Sequence, residues 1–170
     1  HHGNSTHAQT SRQRNRLPRS RVYWIPYISE VIMALHKATL QYRVPYAETD
    51  QMGVVYYAHY LVYFERVRGA LLRDIGLPYD ELERRGFALP VIEAHVEYKK
   101  PARYEDDLQI SGWLAWAQGV RCRVDCEVRR DGILLAEGHT VHACIDRASG
   151  RPRRILSEFA PFCARDSAIP

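Results

Sequence analysis

One carboxylate draws attention in this chain of 170 residues. Asp50 lies in AETDQMGVVYYAHYLVYFERVR (47–68), three residues before Gly53 and seven before Tyr57, where a helical apolar period begins. Gly53 lets the backbone turn tightly after Asp50. The first turn of a helix starting at about Tyr57 carries N–H groups without intrahelical acceptors. Aided by the helix dipole, they can polarise a carbonyl and hold the oxyanion that forms when it is attacked. A carboxylate beside such an oxyanion hole suits acyl transfer. Asp50 could attack a thioester carbonyl itself, forming an anhydride, or act as general base on a water, and the spacing leaves both open. Thioesters fit this modest equipment because a leaving thiolate needs no strong acid. From spacing alone, a loop or N-cap aspartate is the commoner use of such a residue.

Other machinery is missing from the sequence. It contains no Gly-x-Ser-x-Gly elbow, phosphate-binding glycine loop, Gly-x-Gly-x-x-Gly or His-Glu-x-x-His. His139 and His142, three apart in an expected strand, point to opposite faces and so share no metal. Cys122 and Cys126 fall on one strand face roughly 13 Å apart, too far to bridge, and with Cys144 and Cys163 they read as buried thiols. No metal or organic cofactor is implied.

Charge points the same way. The chain holds 24 basic and 20 acidic residues, but the first forty carry six basic groups and one acid, so the remainder is nearly neutral. That body is a poor candidate for nucleic acid. No run of about 18 apolar residues is present, so no membrane-spanning helix is expected, and without a signal layout the expected address is cytoplasmic.

The elements that must position Asp50 follow from periodicity. Residues 1–32 are polar and arginine-rich without a period, as in a disordered basic leader or non-native extension. MALHKATLQYRV suggests a natural start at Met33, and VYWIPYISEVIMAL could fold as a short helix. The folded domain is expected over 33–160, followed by a tail over 161–170. It opens with a strand over 40–46, a loop over 47–56 and a helix over 58–75 whose inner face is Leu61, Phe64, Val67, Leu71 and Ile75. Gly76 and Pro78 end that helix, and YDELERR makes a shorter one before Gly86. The period then changes to two. Strands are expected near 87–99, 107–117, 119–130 and 133–146, with Asp131-Gly132 a two-residue hairpin signal, and a short strand near 151–156. The class is α+β, one helix against a large antiparallel sheet, with further burial expected from a second subunit.

The segment ETDQMGVVYYAHYLVYFERVR resembles the signature of the 4-hydroxybenzoyl-CoA thioesterase family, including its tol-pal-associated acyl-CoA thioesterases. The likeness continues through VEYKKPARYEDDL, AEGHTVHACID and GRPRRI, covering about residues 40–157. It implies the hotdog fold, a long central helix wrapped by a curved antiparallel sheet of five to six strands. It also implies hydrolysis of an acyl-CoA to free acid and CoA, with Asp50 as nucleophile or general base and the Tyr57 backbone N–H as oxyanion donor. Gly53 permits the loop. His59 stands where relatives commonly have Asn, and either orients the acyl group or a water or caps the helix. Glu65 lies where relatives also carry an acid, with an ion pair to a nearby arginine as its other use. Glu105 replaces a glycine usual in the family's Arg-Tyr-Gly-Asp.

The substrate supplies the remaining candidates. Coenzyme A brings three phosphates, for which Lys99, Lys100, Arg103, Arg129, Arg130, Arg151, Arg153 and Arg154 are the basic candidates, the first three leading, while Tyr60 is a candidate for lining the acyl pocket. By the same resemblance the protein is a homo-oligomer, a dimer or a tetramer of dimers, with sites at the subunit interface. Two rivals share the fold. A hotdog dehydratase needs a His and an acid across the pocket, for which only His59 and His95 are at hand, and a non-catalytic acyl-CoA-binding module has no need of Asp50.

Overall fold

The computed structural model describes residues 35–164. The expectations for the 1–32 leader, the Met33 start, the 22–35 helix up to residue 34 and the tail beyond residue 164 lie outside the described residues.

Five strands form one antiparallel sheet: β1 (Lys37–Arg43), β3 (Val91–Tyr98), β4 (Asp107–Gln118), β5 (Arg121–Arg130) and β6 (Ile133–Ala143), in the order β1-β4-β5-β6-β3. Two short strands, β2 (Phe87–Ala88) and β7 (Ile145–Asp146), pair separately. Helix α1 (His59–Asp74) packs on the sheet, touching all five strands, and α2 (Tyr79–Arg84) follows it. This is an α+β architecture.

Local chemistry explains the joints. Asp131 and Gly132 both take positive φ, 50° and 76°, as a tight hairpin between β5 and β6 requires. Gly76, at φ 78°, ends α1 by letting the Leu77 N–H reach back to the Leu72 carbonyl at 2.8 Å. The strand expected over 87–99 divides at Leu89-Pro90, because proline offers no N–H to a ladder. The strand expected over 133–146 divides at Cys144, whose N–H leaves the ladder for the Val120 carbonyl. Of the strand expected near 151–156, only a bridge from Pro152 to Ile145 forms.

The core lies between α1 and the sheet. Cys122, Val124, Cys126 and Val128 of β5 all face it, while their neighbours Arg123, Asp125 and Glu127 are only half-buried. The buried stripe of α1 is Tyr60, Tyr63, Phe64, Val67 and Leu71. Leu61, expected inside, is 41% exposed, because a stripe through 60, 63–64, 67 and 71 turns position 61 outward. Two glycines bring α1 close. A Cβ on Gly112 would meet Val67 at 2.9 Å, and one on Gly138 would meet Phe64 at 3.0 Å and the His95 carbonyl oxygen at 2.0 Å. At the end of the described chain the Ala164 N–H donates to the Leu114 carbonyl at 2.9 Å.

Candidate active site

The segment between β1 and α1 is a loop with its own hydrogen-bond ladder. A 3-10 turn, Tyr46–Glu48, leads into Thr49, which bridges Val55 across the loop. Between them the Asp50 N–H donates to the Val54 carbonyl and the Gly53 N–H to the Asp50 carbonyl, both at 2.9 Å. Gly53 sits at φ 71°, so the turn needs a residue that adopts left-handed backbone. The Met52 N–H donates to Asp50 Oδ1 at 2.8 Å, which fixes the carboxylate within the turn and leaves Oδ2 free of protein donors among the described residues.

The start of α1 supplies donors. The N–H groups of His59, Tyr60 and Leu61 bond back three residues, to Tyr56, Tyr57 and Ala58. The Tyr56 N–H is consumed by the Glu48 carbonyl at 2.9 Å. Among the described residues the Tyr57 and Ala58 N–H groups have no acceptor, as the first turn of a helix leaves them. The regular helix begins at His59, two residues later than Tyr57, although Ala58 already has helical backbone angles.

Asp50 and Tyr57 line one cleft of about 410 Å³. Val54, Val55 and Pro101 give it apolar walls, and Tyr56, Tyr60 and Tyr98 aromatic ones. The Tyr98 hydroxyl donates to the Tyr57 carbonyl at 3.0 Å, tying β3 to the helix start. Tyr56 and Tyr57 have ring centres 4.5 Å apart, and the neighbouring Tyr57 phenol, then burial and the Asp50 charge, raises the Tyr56 pKa above its usual value. Tyr60 is nearly covered, its hydroxyl accepting the Ala102 N–H at 3.4 Å, and burial pushes its pKa up.

The structure thus brings Asp50, Tyr57, Tyr60, Lys99 and Lys100 to one cleft and places the other sequence candidates around it. Lys99 is engaged, 2.5 Å from Glu97 and 3.1 Å from Glu137, and those carboxylates raise its pKa. Lys100 makes no ion pair among the described residues. Arg103 does not line the cleft and donates to the Gly53 carbonyl at 3.3 Å. His59 does not line the cleft and packs its ring edge-on to Tyr56, with centres 6.3 Å apart. Glu65 is further along α1, in an ion pair with Arg68 and beside a separate groove of about 400 Å³ that includes Arg66 and Tyr79. His95 is on the exposed side of β3, stacked on His139 at 5.4 Å. Sequence reasoning passed over Tyr98 and Glu48. Tyr98 lies 41 residues from Tyr57, and only the placement of β3 beside the helix start reveals it.

Glu105, where the resemblance leads one to expect glycine, takes φ 65°, so the backbone keeps a glycine-like turn. Its N–H donates to the Val44 carbonyl, and the Arg103 N–H donates to Asp106 in the same turn.

Among known proteins, the thioesterase-like superfamily profile matches residues 44–162. YneP of Bacillus subtilis is 33% identical over 126 residues, which cover 74% of this chain and 91% of YneP. YbgC of Escherichia coli O157:H7, an acyl-CoA thioester hydrolase, is 33% identical over 122 residues, covering 69% of this chain and 91% of YbgC. The crystal structure of the hypothetical protein TT1821 from Thermus thermophilus superposes with a TM-score of 0.68 at 37% identity, covering 74% of this chain and 95% of TT1821.

Proposed function

This chain belongs to the thioesterase-like superfamily, and we propose that it hydrolyses an acyl-CoA thioester to free acid and CoA at the cleft shared by Asp50 and the start of α1. The fold is the hotdog fold of its thioesterase relatives, and α1 is the helix that the sheet wraps.

The reading is carried by one observation: Asp50, a carboxylate with a free oxygen, and Tyr57, whose backbone N–H is unused among the described residues, line the same cleft. The thioester oxygen is received by the Tyr57 amide, whose hydrogen bond strengthens as the oxygen gains charge. Asp50 Oδ2 either attacks the carbonyl, expelling CoA thiolate and leaving a mixed anhydride that water then opens to the free acid, or takes the proton of a water that attacks the carbonyl, after which the adduct collapses to the acid with loss of CoA thiolate. Lys100 is the basic residue best placed for a CoA phosphate, since Lys99 is paired with two carboxylates. Arg103 acts on the loop through Gly53. His59, outside the cleft, packs on Tyr56, and Glu65 holds Arg68. The mechanism calls for no metal or organic cofactor.

The motif also supports membership of the 4-hydroxybenzoyl-CoA thioesterase family within this superfamily. Assembly follows from β3. It is an edge strand, exposed along most of its length, with Val91, Ile92 and Tyr98 about half exposed. A second copy adding its own β3 would continue the sheet and close over Tyr98 and the cleft. Whether dimers assemble further into tetramers is read from sedimentation. A cytoplasmic site of action, where acyl-CoA is made, completes the proposal, and no helix among the described residues is long and apolar enough to cross a membrane.

The test is thiol release from a panel of aromatic, short-chain and long-chain acyl-CoAs, with the free acid measured alongside. Stoichiometric thiol and acid from at least one ester supports hydrolysis. Tight acyl-CoA binding without turnover across the panel contradicts it.

A further inference from the structure

Glu48 is a buried carboxylate, 8% exposed, that no cation pairs with among the described residues. Two phenols hold it instead. Tyr42 of β1 donates to Oε1 and Tyr63 of α1 to Oε2, each at 2.5 Å. The two rings lie 5.1 Å apart, with the Arg66 guanidinium 4.6 Å over Tyr42. Burial first, and then the Glu48 carboxylate, raises both phenol pKa values, so both stay donors. The backbone carbonyl of Glu48 accepts the Tyr56 N–H, the amide immediately before the free one of Tyr57. One residue, two before Asp50, is therefore tied to the first strand, to the helix and to the oxyanion segment.

We propose that Glu48 is a positioning residue: clamped between Tyr42 and Tyr63, it sets the placement of Asp50 relative to the Tyr57 amide. The proposal rests on reading the cleft as the hydrolytic site. Reacting groups misplaced by about 1 Å lose on the order of a hundredfold in rate, so a clamp of this kind shows in turnover rather than in substrate affinity. Glutamine keeps the shape of Glu48 but has one carbonyl acceptor and no charge, so one phenol loses its acceptor.

The experiment compares kcat and KM for thiol release at 25 °C in the wild type, Glu48→Gln, Tyr63→Phe and the double variant, with circular dichroism confirming folding. Glu48→Gln is expected to lower kcat about tenfold or more with KM within about twofold. Tyr63→Phe is expected to lower kcat about threefold and to cost less in the Glu48→Gln background than alone, because both act through one contact. Folded Glu48→Gln and Tyr63→Phe enzymes with wild-type kcat overturn the proposal, whatever their melting temperatures. Should Glu48→Gln not fold, Tyr63→Phe alone decides. Asp50→Asn is run in parallel: full activity there removes the site reading itself and the proposal with it, whereas its loss with Glu48→Gln unaffected removes the clamp alone.

Discussion

His142 offers a stability prediction whose size can be worked from the structure. It is fully buried on β6, and both ring nitrogens are committed. Nδ1 donates to the Leu89 carbonyl at 3.0 Å, so Nε2 is the acceptor, receiving the Thr140 hydroxyl at 2.9 Å and the Arg68 guanidinium at 3.2 Å. A proton on Nε2 would face a buried cation and displace two donors. Burial first, and then Arg68, lowers the His142 pKa to about 4 from a usual 6.5. Such a fall is worth about 3 kcal/mol between the two protonation states. The unfolded chain takes up the proton as pH falls through 6.5, while the folded chain refuses it until about 4. The contribution is therefore complete above pH 6.5 and is lost on acidification across the 6.5 to 4 window. From pH 7.5 to 5.0 this one residue should remove about 2 kcal/mol of stability. Urea unfolding of the wild type and His142→Gln at both pH values isolates it, since the other titrations are common to the two proteins. The stability advantage of the wild type should shrink by about 2 kcal/mol at pH 5.0. An advantage that stays constant, or a His142 ring that titrates near 6.5 by NMR, refutes the reasoning.

Three further outcomes are expected. Gly138→Ala places a Cβ 2.0 Å from the His95 carbonyl oxygen and should cost at least about 3 kcal/mol in urea unfolding by forcing β3 away from β6, whereas an unchanged midpoint contradicts the close packing described. Glu105→Gly relieves a left-handed backbone at φ 65° while giving up only an exposed pair with Arg43, so stability should rise by about 1 kcal/mol, read as a higher melting temperature. Cys122 and Cys126 are buried, and burial pushes the Cys122 thiol up to about 12, so at pH 8 a thiol reagent followed by mass spectrometry should leave both unlabelled until denaturant is added.

What could be read from the sequence was whatever depends on near neighbours. The Asp131-Gly132 hairpin is legible because its geometry demands positive φ at two successive residues, and the end of α1 because Gly76 takes positive φ just past the last turn. Asp50 and Tyr57 were legible as a pair because seven residues separate them and a helix start lies between loop and core. The inner face of α1 is rotated slightly from the one apolar periodicity predicts, since Tyr60 and Tyr63 lie inside with hydroxyls that reach Ala102 and Glu48, partners that periodicity does not weigh. The pairs that hold the site and its surroundings were not legible. Arg68 meets His142 across 74 positions and Tyr98 meets Tyr57 across 41, contacts that exist only once β3 and β6 lie beside the helix. Glu48 was passed over for a different reason. A glutamate in AETD reads as a solvated loop residue until Tyr42 and Tyr63 are seen to enclose it.

The central claim is that Asp50 performs the hydrolysis, and Asp50→Asn tests it most directly. Asparagine preserves the shape and the acceptor for the Met52 N–H, and removes the charge needed either to attack or to accept a proton. With wild type and variant matched for folding and assayed on the best ester of the panel, the account predicts a fall in kcat/KM of about a hundredfold or more, equivalent to about 2.7 kcal/mol of transition-state stabilisation. A folded Asp50→Asn enzyme that releases thiol at the wild-type rate contradicts the account and places the chemistry on other residues.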